Sequence, residues 1–312
     1  MLTTYGHSSG FAIDPIEKKP LHHFLPGSAV LSFGTVGCNL SCRFCQNWTI
    51  SKSRKDDTLA ESGSPEEIAA AAERLACPSV AFTYNDPVVF LEYARDTAEA
   101  CRARGVKTVA VSAGYVCPEP RIELFEHIDA VNVDLKSFSE DFYRRTCGGQ
   151  LRPVLETLEY IAGETGVWLE ITNLLIPGLN DSDAEIDGMT RWIVEHLGPD
   201  VPVHFSAFHS AFRMLGHPPT PLETLTRARS IALTNGVSYA YTGNVRDPNG
   251  ESTFCPSCGV LLIERRGYEL GAYKLTATAS CPSCGMRIPG VFASRPGDGG
   301  NRFEPVRVGR RD

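Results

Sequence analysis

The chain has 312 residues, 42% of them hydrophobic, and a formal net charge of −7. That length suits one large domain plus a small module, and the acidic balance argues against a general nucleic-acid-binding surface. No apolar stretch is long enough to span a bilayer, and Met1-Leu2-Thr3-Thr4-Tyr5 lacks the basic start and apolar core of a signal peptide, so the expected location is cytoplasmic.

From about residue 28 to 243, apolar strand-like runs alternate with amphipathic helical segments. The strand candidates are Val30–Phe33, Ser79–Thr83, Thr108–Ser112, Ala130–Leu135, Trp168–Asn173 and Val203–Ala207. Ser64-Pro65-Glu66-Glu67 combines an N-cap serine, a first-turn proline and a glutamate three residues on, and so starts a helix through Ile68 and the alanines after it. Ser182 with Glu185, and Thr220-Pro221-Leu222-Glu223, suggest the same device. Strands alternating with helices imply parallel pairing through right-handed crossovers, which an open sheet and a barrel both satisfy. The Gly- and Asn-containing break from Thr242 to Gly250 ends this pattern. The expected organisation is a lead-in over 1–27, an α/β domain over 28–248, a small module over 249–293 and a basic, solvated tail over 294–312 with Arg295, Arg302, Arg307, Arg310 and Arg311.

Eleven cysteines in a chain without a secretion signal suggest metal sites rather than a disulfide framework. Cys38, Cys42 and Cys45 follow the first strand in the spacing Cys-x3-Cys-x2-Cys. Thiolates hold iron–sulfur clusters, and a four-iron cubane on three of them keeps one iron open to bind and reduce a ligand. A zinc site, or a disulfide with one free thiol, is the alternative; zinc normally takes four ligands and no fourth Cys or His lies near in sequence. Cys255, Cys258, Cys281 and Cys284 form two Cys-Pro-Ser-Cys-Gly knuckles, a zinc-ribbon pattern whose closed tetrahedral ligation reads as a structural staple; rubredoxin-like iron uses similar knuckles. Cys77, Cys101, Cys117 and Cys147 are scattered and receive no chemical role.

Polar residues gather at strand ends. The second strand leads into Thr83-Tyr84-Asn85-Asp86-Pro87, where Asn85 or Asp86 also suits a helix cap. The third ends at Ser112-Ala113-Gly114. Alternation puts Asn132, Asp134 and Lys136 on one face of the fourth, an arrangement costly to bury unpaired and open also to an internal Asp–Lys ion pair. His204 and Ser206 share a face of the sixth strand, and a single strand histidine is equally at home as a satisfied core residue. Asn173, Gly178, Asn180, His209, Ser210, Arg213 and Met214 lie at strand ends or on loops that reach the same end of the sheet.

The Cys38–Cys45 loop resembles the signature of the radical S-adenosylmethionine (SAM) superfamily. The resemblance implies a partial (β/α)6 barrel, a 4Fe-4S cluster on Cys38, Cys42 and Cys45, and SAM cleaved to a 5′-deoxyadenosyl radical that abstracts hydrogen. It implies SAM contacts from Asn85 and Asp86, at the position that receives the amino group, where a glutamate is more usual, and from Ser112. The Asp134-Leu135-Lys136 strand resembles that of pyruvate formate-lyase activating enzymes, which implies Lys136 near the SAM carboxylate and His204 near the ribose.

The resemblance tightens in Asp14–Ser28, Gly34–Cys38, Cys147-Gly148-Gly149 and the ribbon, which look like the AmmeMemoRadiSam-system radical SAM proteins from about residue 12 to 292. That family implies Memo-like and Ammecr-like partners, and the chemistry implies an electron donor such as flavodoxin or ferredoxin. Members usually carry a cysteine-rich segment ahead of the lead-in, where this sequence has Met1–Phe11; a truncated start and a lineage without that module both fit. Ala113 stands where an asparagine is more common. The expected function is a radical SAM enzyme acting on an organic substrate, with activation of a glycyl-radical enzyme as the alternative.

Overall fold

A computed structural model describes residues 4–53, 61–299 and 302–309. The tail residues Arg310 and Arg311 therefore lie outside the described residues. In chain order the main domain contains β1 (Phe11–Pro15), β2 (Ala29–Phe33), α1 (Pro65–Arg74), β3 (Ser79–Phe82), α2 (Leu91–Arg102), β4 (Lys107–Ser112), α3 (Pro118–Phe125), β5 (Ala130–Asp134), α4 (Arg152–Glu164), β6 (Trp168–Leu175), α5 (Asp183–Leu197), β7 (Val203–Ala207), α6 (Leu222–Thr234) and β8 (Ala240–Gly243). The remainder holds β9 (Thr253–Phe254), β10 (Leu261–Arg266), β11 (Glu269–Tyr273) and β12 (Glu304–Val306).

The nine-stranded sheet runs β8-β7-β6-β5-β4-β3-β2-β1-β12. Strands β2 to β8 are all parallel, and β1 and β12 extend the sheet antiparallel beside β2. Six strand–helix units and a closing seventh strand make the partial barrel. Among the described residues β2 and β8 do not pair, so it stays open on one side. Strand β8 escaped the sequence reading because its four residues end in glycine and merge into the polar break. The parallel strands are buried on both faces, as β2 shows with all five residues covered. No described helix is long and apolar enough to cross a membrane.

Local signals act where the sequence places them, with one exception. Ser64 and Glu67 form a reciprocal capping box at α1, and Ser182 accepts from Glu185 N at α5. Thr220 does not cap α6. Its hydroxyl donates to Leu175 O at 2.6 Å and accepts from Phe208 N at 2.9 Å, because the ends of β6 and β7 leave buried backbone groups there that need partners.

The lead-in closes the barrel from inside. Asn132 of β5 donates its amide to Pro20 O at 2.8 Å. Glu170 of β6 accepts the backbone N–H groups of His22 (3.0 Å) and His23 (2.7 Å), and His23 Nε2 meets the Tyr241 hydroxyl of β8 at 2.6 Å. Inward polar residues at the N-terminal halves of three strands thus hold the segment around Pro20–His23 across the interior. The ribbon, an antiparallel β9-β10-β11 sheet, seals the same region. Its Arg265 is fully buried and donates to His22 O at 2.7 Å and Thr253 Oγ1 at 2.8 Å.

Candidate active site

The cysteine loop leaves β2 at Gly34, where the chain passes so close to β3 that a Cβ would lie 2.2 Å from Thr83 O. Asn85, past the end of β3, holds the loop's start: its amide donates to Gly37 O (2.9 Å) and Thr35 Oγ1 (3.2 Å), and its oxygen accepts Thr35 N (2.9 Å). On the far side, Ser41 N donates to Cys147 O (2.7 Å) and Arg43 N to Thr146 O (2.9 Å). Gly148, at φ +72°, leaves room for Ser41, whose Cβ would be 3.1 Å from an added Cβ. The Cys147-Gly148-Gly149 segment is thus a clamp on the cysteine loop, a role the scattered-cysteine reading missed. Ser51, buried, sits with its hydroxyl 3.1 Å from Cys45 Sγ.

Cys38, Cys42 and Cys45 line one cavity of about 410 Å³ at the C-terminal ends of the strands. Asn85, Asp86, Ser112, Asp134 and Lys136 line it too. Both Asp86 oxygens are engaged: Oδ1 accepts Val88 N at 3.2 Å, capping the following turn, Oδ2 accepts Ala113 N at 2.8 Å, and the Ser112 hydroxyl lies 3.2 Å from each. Burial raises the Asp86 pKa, against the pull of those donors. Lys136 Nζ meets Asp134 Oδ2 at 2.5 Å. Burial works against the Lys136 charge, but the Asp134 carboxylate together with the neighbouring Cys42 and Cys147 sulfurs holds the ammonium well above its usual range. An ion pair therefore forms, and it forms at the cavity wall.

His204 lies elsewhere. It lines an adjoining chamber of about 330 Å³, with Nε2 bonded to Glu170 Oε2 at 2.6 Å and its ring stacked on Tyr241. Burial pushes Glu170 toward protonation, but the His204 hydrogen bond and the nearby imidazoles win and keep its pKa below the usual range. Asn173 and Asn180 brace the Lys136 segment by donating to Leu135 O and Lys136 O, both at 2.7 Å. His209, Ser210 and Arg213 are exposed and Met214 is buried; Arg213 N donates to Arg43 O at 3.0 Å, laying this loop over the cysteine loop. The sequence reading passed over Glu170 and Thr172, although the alternation that singled out Asn132 and Asp134 applies equally to β6. Thr172 lines the cluster cavity, and its hydroxyl is buried with no partner among the described residues.

The two cysteine groups differ in what they fit. The ribbon sulfurs of Cys255, Cys258, Cys281 and Cys284 all lie within 4.8 Å of one another, with 3.6 Å separating Cys255 from Cys284 and Cys258 from Cys281. Tetrahedral bonds of about 2.3 Å place sulfurs roughly 3.8 Å apart, so this group fits one ion. The loop cysteines border a cavity with room for a polynuclear cluster and a ligand, and an all-sulfur donor set suits iron–sulfur chemistry.

A family model of the radical SAM superfamily matches residues 33–188, and an uncharacterized protein of Methanocaldococcus jannaschii is 42% identical over 285 residues, 91% of this chain and 84% of that one. The chain belongs to the radical SAM superfamily. It is an enzyme of that superfamily, whose members imply a 4Fe-4S cluster and SAM. The pyruvate formate-lyase 1-activating enzyme of Escherichia coli (strain K12) is 24% identical over 163 residues, 51% of this chain and 65% of that enzyme. Streptococcus suis SuiB bound to S-adenosylmethionine shares the fold at TM-score 0.55 and 13% identity, over 73% of this chain and 53% of SuiB. The matched span includes Cys38, Cys42 and Cys45 and most of the cavity that they border.

Proposed function

We propose that this radical SAM enzyme takes hydrogen from a small organic substrate held in the chamber beside the cluster cavity. When bound, the cluster and SAM supply reductive cleavage to a 5′-deoxyadenosyl radical. The chain's own residues do the rest. Asn85 and the Cys147-Gly148-Gly149 segment hold the three thiolates in place. Asp134 keeps Lys136 charged for a carboxylate, and Thr172 offers an unpartnered hydroxyl. Asp86, which faces three donors (Val88 N, Ala113 N and the Ser112 hydroxyl), braces the wall beside the cysteine cavity.

One observation carries the small-substrate reading: the chain's own lead-in and ribbon narrow the barrel interior to a chamber of about 330 Å³, the lower end of small-ligand sites. The second reading, radical placement on a glycine of a partner protein, is favoured by the similarity to the E. coli activating enzyme. A deuterated cell extract, split by ultrafiltration, separates them. Deuterium entering 5′-deoxyadenosine from the low-mass fraction supports the first; deuterium from the protein fraction overturns it. The ribbon is proposed to hold zinc. An AmmeMemoRadiSam-type context with Memo-like and Ammecr-like partners, and a flavodoxin or ferredoxin donor, completes the proposal.

A further inference from the structure

Three cavities adjoin one another at the C-terminal ends of the strands and beside the ribbon. The 330 Å³ chamber shares Pro20, Ser206 and Asn244 with the cluster cavity, and Arg246, Glu251 and Gly267 with an outer cavity of about 860 Å³. Lys18 and Tyr268 border all three. Tyr268 is at the tip of the ribbon hairpin, between β10 and β11, in a turn that needs Gly267 at φ +65°. Glu251 fixes that tip to the barrel: Oε2 accepts Gly267 N at 2.7 Å and Oε1 accepts Asp247 N at 3.0 Å. The ribbon is therefore a wall of the chamber as well as a staple.

The chamber also has unmet hydrogen-bonding needs. Glu17 (3% exposed) and His22 (7% exposed) both line it, and neither Glu17 Oε2 nor His22 Nδ1 has a partner among the described residues. Leaving such groups bare is costly, so a polar ligand that reaches them is favoured. Burial pushes Glu17 up to about 7 and His22 well below its usual range, so this inner end favours neutral hydrogen bonding over a full charge. At the outer end Arg246 is exposed and has no ion pair or hydrogen bond among the described residues, while Lys18 is already paired with Asp14 at 2.8 Å.

We infer that the chamber binds a small organic anion, a carboxylate or a phosphate ester, with its acid group at Arg246 beside Tyr268 and its polar head at Glu17 and His22. This rests on the small-substrate reading above and names its chemical class. Arginine suits both acids because its planar fork matches either bidentately.

The test is NMR titration of the cluster-loaded, SAM-bound protein with two probes, malonate followed by carbon-13 and inorganic phosphate by phosphorus-31. Saturable binding of one or both is expected; which probe binds tells carboxylate from phosphate. Arg246→Gln is expected to weaken it about tenfold and Tyr268→Ala several-fold, while Arg191→Gln, on the distant face of α5, leaves it unchanged. No saturable binding of either probe, or equal binding in Arg246→Gln and wild type, overturns the inference. The readout does not involve SAM cleavage. A protein that binds the anion yet makes no deoxyadenosine counts against the radical reading alone, and the reverse result counts against the anion site alone.

Discussion

Asn85 donates its side-chain amide to Gly37 O at 2.9 Å, one residue before the first cysteine of the loop. The bond ties the end of β3 to the start of the cysteine loop, so the loop's shape does not depend on the metal alone. Asn85→Ala should leave Gly37 O and Thr35 N without this partner, costing about 1–3 kcal/mol, and lower the iron bound per chain. Thermal melting of the apo protein and iron analysis after reconstitution measure the two effects. Wild-type values in both would show that the brace is dispensable.

Ser51 gives a sharper electronic test. Its hydroxyl, 3.1 Å from Cys45 Sγ, is placed to donate to a cluster ligand, and hydrogen bonds to ligand sulfur favour the reduced cluster. Ser51→Ala should shift the cluster's reduction potential to more negative values with iron content unchanged, and Ser51→Thr should restore much of it. Redox titration followed by electron paramagnetic resonance reads this directly. An unmoved potential in Ser51→Ala would remove the residue from the account.

Glu17 should make stability depend on pH. Burial lifts its pKa from 4.5 to about 7, against the neighbouring Arg265 of the ribbon and the Gly27 N–H, with Glu170 of β6 adding to the rise. An acid whose folded pKa is raised takes up a proton on folding. Its contribution is therefore complete below pH 4.5 and is lost as pH climbs through about 7. Glu17→Gln lacks that loss, so wild-type stability relative to the variant should fall over this window by on the order of 3 kcal/mol. Denaturant unfolding at a series of pH values measures it. A constant difference would mean that Glu17 keeps one protonation state throughout.

The ribbon metal should support the chamber. Cys255 and Cys281 are buried, and the hairpin they anchor carries both Arg265 and Tyr268. Metal analysis is expected to give one zinc per chain bound by the ribbon. Cys281→Ser should lower the melting temperature and loosen Tyr268 while the loop cysteines still take up iron. Retained stability with no ribbon metal would show that the ribbon packs without it.

Much of the barrel was legible because its signals are local. Alternating apolar strands and helix starts such as Ser64-Pro65-Glu66-Glu67 act through neighbours a few residues away. The cysteine spacings were legible for the same reason. The chamber was not. His204 meets Glu170, Asn132 meets Pro20, and Arg265 meets His22, across separations of 34, 112 and 243 residues. The first pairing depends on the register of β6 against β7 and the other two on how the lead-in folds back into the barrel, which no local pattern encodes. Cys147 received no role in the sequence because its contacts, a carbonyl to Ser41 N and a thiol against the Cys42 thiol, are made more than 100 residues away along the chain.

The most direct test is anaerobic. The protein is reconstituted with iron and sulfide, reduced with dithionite and given SAM, and 5′-deoxyadenosine is quantified beside a Cys42→Ala control. Deoxyadenosine from the wild type and none from the control is the predicted result. A wild-type protein with its iron–sulfur cluster verified in place that yields no deoxyadenosine would contradict the account at its centre.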